Sequence, residues 1–154
     1  MKDLKKSLAL QQLDKKMKKL SSLSEISIPP NGWVNLIRST LNMSLKQLGK
    51  KLNITSQSVK EIETREADKK ITLQKLNEIA EVLNLKLVYG FIPKDGSIEK
   101  MIEKRALEIA QQIVLKTSHT MALEDQQNEP SRIKNAIKDR AQQIKYEMPK
   151  YLWD

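Results

Sequence analysis

Cysteine is absent from the 154 residues, which removes disulfides, thiolate-ligated zinc, iron–sulfur clusters and thiol nucleophiles together. Aromatic residues are scarce, with one Phe, two Trp and three Tyr. The core must therefore be aliphatic, and single-strand platforms that stack bases on exposed rings are disfavoured. Four Gly and five Pro are too few for a turn-rich β-sandwich, a collagen-like chain or a low-complexity chain. No stretch approaches the roughly 18 apolar residues needed to cross a bilayer. The start MKDLKKSLALQQLD holds neither a continuous apolar region nor a cleavage site. The expectation is a soluble, cytoplasmic protein with no membrane partner. His119 is the only histidine, too few for a metal site without Cys. Ser118 beside it would point about 100° away on a helix, so a Ser-His-Asp arrangement fails. No enzyme, metal or cofactor is expected, and His119 is read as a packing or hydrogen-bonding residue.

What the chain has in excess is positive charge: 28 Lys and Arg against 19 Asp and Glu, a net +9. The excess is uneven. It is +5 over residues 1–20 and +4 over 31–70, zero over 71–100, −2 over 101–130 and +3 over 131–154. A cationic surface concentrated in the first half calls for a polyanionic partner. Nucleic acid comes before membrane, because phosphates release counterions when neutralised.

Leu4, Leu8, Leu13, Met17 and Leu20 recur at helical spacing among lysines, the pattern of an amphipathic N-terminal helix. The Ser-rich segment SSLSEISIPP ends in a proline pair, which disfavours helix at Ile28 and marks a linker. A compact unit should start at about Gly32. Four short helices follow, over 33–41, 44–52, 55–64 and 72–83, with Ser44, Thr55 and Thr72 as N-caps and Asn53 in a left-handed turn. Val34, Ile37, Leu41, Leu45, Leu48, Leu52, Ile54, Val59, Ile62, Leu73, Leu76, Ile79 and Leu83 would form the core. Gly49 would let two helix backbones approach closely. LKLVYGFI, over 85–92, changes to a period of two, a strand signal. One strand has no ladder of its own, so Leu87, Val88, Tyr89 and Phe91 are expected to pair with a second copy, making a homodimer. Ser97 then caps a long helix with Ile98, Met101, Ile102, Ile109 and Ile113 inward. Pro130 opens a last helix with Ile133, Ile137, Ala141, Ile144 and Met148 on one face, and the two should pack antiparallel.

The segment MSLKQLGKKLNITSQSVKEIE, residues 43–63, has the layout of a helix-turn-helix, whose second helix offers its first turns to the major groove. Ser56, Gln57 and Lys60 fall on its outer face. Gln57 is the base reader of choice, since its amide can pair with both N6 and N7 of adenine. Ser44, Lys46, Gln47, Thr55 and Ser58 stand where phosphates approach the two helix starts. Arg65, Lys69 and Lys70 add charge behind the second helix.

Residues 33–83 resemble the Cro and lambda-repressor-like helix-turn-helix family, with Leu45 where members often carry Gln. Across nearly the whole chain, MKDLKKSLALQQLD, NGWVNLIRSTLNMSLKQLGKKL, LKLVYGFIPKDGSIEKM, SHTMALEDQ and YLWD resemble the mobile mystery protein A family. That resemblance implies a mobile-element regulator encoded beside a Fic-domain protein, the two forming a toxin and its antitoxin. It also draws attention to Thr120 and Glu124, which follow the Ser/Thr-x-x-x-Glu spacing of helices that restrain Fic enzymes. Here Asp125 stands where Gly or Asn is usual.

The expected organisation is mainly α. A basic amphipathic helix and linker occupy 1–30, a four-helix DNA-binding domain 31–84, a dimerisation strand and turn 85–96, and a C-terminal helical pair 97–154. The expected function is sequence-specific binding of double-stranded DNA at the protein's own operator, as an autorepressing antitoxin with a Fic-domain partner. The alternative is a protein inhibitor of a Fic-type AMP-transferring enzyme whose DNA binding is incidental.

Overall fold

The computed structural model describes residues 2–123 and 129–154. It is mainly helical and falls into two compact units, Leu23–Tyr89 and Met1–Ser22 with Gly90–Asp154. The four segments expected from the sequence are thus gathered into two.

The first unit holds helices α2 (Trp33–Thr40), α3 (Leu45–Leu52), α4 (Ser56–Ala67) and α5 (Leu73–Val82), and α1 (Lys2–Leu20) belongs to the other unit. Local chemistry sets the boundaries. Ser44 accepts from the Gln47 amide at 3.1 Å while the Gln47 side chain accepts from the Ser44 amide at 2.8 Å, a reciprocal capping box. Thr55 accepts from the Ser58 amide and Thr72 from the Lys75 amide, both at 3.1 Å. Asn53, at φ 56° and ψ 41°, closes α3 in the left-handed region that Asn tolerates.

Val34, Leu48, Val59, Ile62 and Ile79 form the buried core, flanked by Met43, Leu45, Leu52, Ile54, Ile71, Leu76, Val82 and Leu83. Three expected core residues lie outside: Ile37 is half-buried but not part of this cluster, and Leu41 just beyond α2 and Leu73 at the first position of α5 are exposed, because a helix end has neighbours on one side only. Gly49 is buried, and a Cβ there would lie 2.7 Å from the Ile54 carbonyl oxygen. The close approach expected at Gly49 is therefore between α3 and the turn that follows it.

In the second unit α6 (Ile98–Leu123) and α7 (Pro130–Glu147) pack antiparallel, with Lys145 near the end of α7 paired to Glu99 and Glu103 at the start of α6. Ile102, Ala106, Ile109, Ala110, Ile144 and Leu152 are its buried core. Ser97 caps α6 through the Lys100 amide, as expected. The α1 stripe is not as expected: Leu4, Leu8 and Leu13 are exposed, while Leu10 packs on the core and Asp14 faces inward. The reason is polar. The Asp14 carboxylate accepts from the Ile98 amide at 2.7 Å and the Glu99 amide at 3.1 Å, satisfying α6 donors that have no partner within their own helix.

The strand expected over 85–92 is corrected: the described residues contain no strand. From Lys86 to Ile92 no backbone group bonds another backbone group among the described residues. A strand exists only by pairing, and the described residues supply no second one. Leu87 is half-buried, and Val88, Tyr89 and Phe91 are 62%, 68% and 78% exposed. His119 is exposed and packs in neither core, which corrects the packing half of its reading.

Candidate nucleic-acid interface

α3 and α4 are joined by three residues, Asn53, Ile54 and Thr55. Ile54 donates its amide to the Gly49 carbonyl at 2.9 Å, which folds the turn back on α3. On α4, Val59 and Ile62 enter the core and leave Ser56, Gln57 and Lys60 exposed on the opposite side of the first turns. The structure therefore brings the three expected base-reading residues together on one accessible surface. No hydrogen bond holds the Gln57 amide among the described residues, so both its donor and acceptor ends are available.

The residues expected at phosphates divide by how much of their bonding capacity is already used. Ser44, Gln47, Thr55 and Ser58 are engaged in the caps, and the Thr55 and Ser58 hydroxyls lie 2.9 Å apart. The Gln47 amide nitrogen keeps its donors, because only its oxygen is used. Lys46, Arg65, Lys69 and Lys70 are all exposed. Lys69, at φ 59°, turns the chain at the end of α4, where its amide and that of Lys70 satisfy the Glu66 and Arg65 carbonyls.

Sequence reasoning missed what holds α4 in place. Glu63 is 3% exposed. It accepts from Arg38 Nε at 2.5 Å, from Arg38 Nη2 at 3.2 Å and from Asn35 Nδ2 at 2.9 Å. Arg38 Nη1 also donates to the Met43 carbonyl at 2.8 Å. One guanidinium thereby ties together α2, the segment just before α3, and α4. Burial by itself would raise the Glu63 carboxyl, but hydrogen bonds from Arg38 and Asn35, with nearby positive charge, hold it below the ordinary carboxylate value. Arg38 is raised, chiefly by its bond to Glu63.

One turn further on, Glu66 accepts from the Trp33 amide at 2.8 Å and the Val34 amide at 3.0 Å, capping α2 from a distance. Gly32 makes room for that cap. It sits at φ 84°, and a Cβ there would meet Glu66 Oε2 at 2.6 Å. The inner edge of α4 is thus clamped to α2 by two carboxylates while its outer edge stays free. The available signal was an acid at core spacing: Glu63 stands four residues after Val59 on a helix.

Thr120 lies on α6, its hydroxyl donating to the Lys116 carbonyl at 3.1 Å, and Glu124 lies outside the described residues. Among the described residues there is no cluster of three or more metal-ligating side chains, and no helix is long and apolar enough to cross a membrane.

Residues 36–89 match the family model described as Helix-turn-helix and form a domain of the Cro/C1 type. The match takes in α3, α4 and α5 with the segment up to Tyr89. No curated protein and no solved structure matches the chain.

Proposed function

We propose that this protein is a dimeric, sequence-specific transcriptional regulator that binds double-stranded DNA at its own operator. The observation that carries the reading is the free outer edge of α4, with Ser56, Gln57 and Lys60 exposed beside the capped starts of two short helices in a helix-turn-helix domain. In this reading Gln57 reads adenine, with Ser56 and Lys60 flanking it. Ser44, Lys46, Gln47, Thr55, Ser58, Arg65, Lys69 and Lys70 hold phosphates, and so fix register without reading sequence.

Titration onto the DNA upstream of its own gene, with scrambled DNA as competitor, tests this. A preference of about 10³ or more for the upstream fragment is expected. Gln57→Ala should remove about 1–3 kcal/mol of that discrimination and leave scrambled-DNA binding unchanged. Equal binding to both fragments by the wild type would refute sequence-specific function.

The finer reading, an autorepressing antitoxin of a Fic-domain enzyme, is supported by the sequence resemblance to the mobile mystery protein A family. It assigns Thr120 and Glu124 to restraint of the enzyme. Coexpression with the adjacent Fic-domain protein should suppress AMP transfer, and Glu124→Lys should release it with operator binding intact. Unchanged suppression by that variant would remove Glu124 from the role.

A further inference from the structure

The N-terminal helix is not a loose arm. Asp14 caps α6, the Lys6 ammonium donates to the Glu147 carbonyl at 2.9 Å, and Leu10 packs on the second unit's core. Near the end of α1, Met17 and Leu20 are half-buried, and Leu20 lies so close to Gly90 that a Cβ there would meet it at 2.5 Å. With that face fixed, the opposite side of the last turns presents Lys15, Lys16, Lys18 and Lys19, all four exposed. None of the four side chains makes an ion pair or hydrogen bond among the described residues.

Four unpaired ammonium groups within five residues repel one another. Two of them, Lys18 and Lys19, have a local reason to be there, since cations in the last turn offset the negative end of the helix dipole. Lys15 and Lys16 stand a turn too early for that. No aromatic residue lies within the run 15–19 to anchor a protein partner or a bilayer. The cluster ends fourteen residues before Trp33, where the helix-turn-helix unit's first helix begins. A tether of that length raises the effective concentration of these lysines near DNA held by that unit, provided it lets both reach one duplex.

We infer that Lys15, Lys16, Lys18 and Lys19 form a second DNA contact, gripping backbone phosphates outside the stretch read by α4. This rests on the DNA-binding reading above and adds a site to it. Lysine suits the task, being a compact point charge on a flexible stem that follows a phosphate chain without reading bases.

The test replaces all four by Gln, which has nearly the same helix propensity as Lys and removes the charges without burying anything. Operator affinity is measured across 50 to 200 mM salt as the slope of log K against log salt. Removing one lysine–phosphate pair should lower the steepness by about 0.9, so a fall of about two to four for each bound copy, and twice that for a dimer, is expected. The ratio of operator to scrambled-DNA affinity should stay within about twofold, because phosphate contacts carry no sequence information. A second variant, Lys15→Glu with Lys16→Glu, keeps both last-turn lysines and should likewise weaken binding at low salt.

A slope unchanged in both variants would overturn the proposal, as would a lowered melting temperature with no change in slope, which would leave the lysines a purely helix-stabilising role. The two readings fail separately. A wild type without operator preference sinks sequence-specific binding, whereas a wild type with preference and an unaltered variant slope sinks only the α1 contact.

Discussion

At the scale of the residue, the most consequential side chain outside the exposed edge of α4 is Arg38. Glu63 is buried, and bonds from Arg38 and Asn35 hold its carboxyl below the ordinary value against the effect of that burial. Breaking such a pair from one side leaves an uncompensated charge and costs about 3–5 kcal/mol. Arg38→Met should therefore destabilise the protein by about that amount at pH 7, by denaturant unfolding. Acid separates this from simple loss of packing. In the wild type the Glu63 value is lowered on folding, so its contribution is present above the ordinary carboxylate value of 4.5 and is lost as pH falls through the lowered one. Without Arg38, burial takes over and pushes the same carboxyl upward, so the variant gains from protonation where the wild type loses. The stability gap between them should shrink from neutral pH toward pH 3. A gap independent of pH would mean that Arg38 acts by packing alone.

At the scale of the element, legibility followed the range of the interaction. The caps at Ser44, Thr55, Thr72 and Ser97 and the left-handed Asn53 were readable because donor and acceptor lie within three or four residues. A further local signal was there to be used. Met43, Ile54 and Ile71 each precede an N-cap, and Leu48, Val59 and Leu76 each follow it at the fourth helical position; all six line the same core. That is the spacing of the hydrophobic staple, and it explains why Met43 and Ile71 pack in the core although neither lies inside a helix. What the sequence hid were bonds across long separations. Asp14 caps a helix 84 residues away and Glu66 one 32 residues away. Both are acids on helices, where periodicity alone assigns them to solvent. The same blindness turned α1, where the expected apolar stripe of Leu4 and Leu8 faces outward. In the candidate site the outward placement of Ser56, Gln57 and Lys60 was legible, because it is the complement of an apolar pattern. The Arg38–Glu63 clamp was not, because it joins residues 25 apart through polar atoms.

At the scale of the whole molecule, the unpaired segment 85–92 bears on how many copies meet DNA. From Lys86 onward its backbone donors and acceptors are unused by other backbone groups among the described residues, and Val88, Tyr89 and Phe91 are exposed although apolar or aromatic. Unused backbone groups of this kind invite pairing with another chain, and in the proposed dimer the self-complementary solution would be the same segment of a second copy around a two-fold axis. The period-two pattern then becomes meaningful, since alternate side chains would share one face of the ladder that forms. Val88→Pro tests this cleanly. Val88 is exposed and its amide bonds no backbone group among the described residues, so the substitution would remove a donor from the proposed intermolecular ladder without breaking a backbone bond seen in the single chain. Sedimentation should find the wild type dimeric and the variant monomeric, with operator affinity lowered because each copy then binds only one half-site. The protected operator should contain two symmetric half-sites whose centres lie about 34–36 Å apart or a multiple of that, since both recognition helices must enter the groove on one side of the duplex. A monomeric wild type, or a variant that still dimerises, would assign the segment another role. A single asymmetric footprint would show that one copy acts alone.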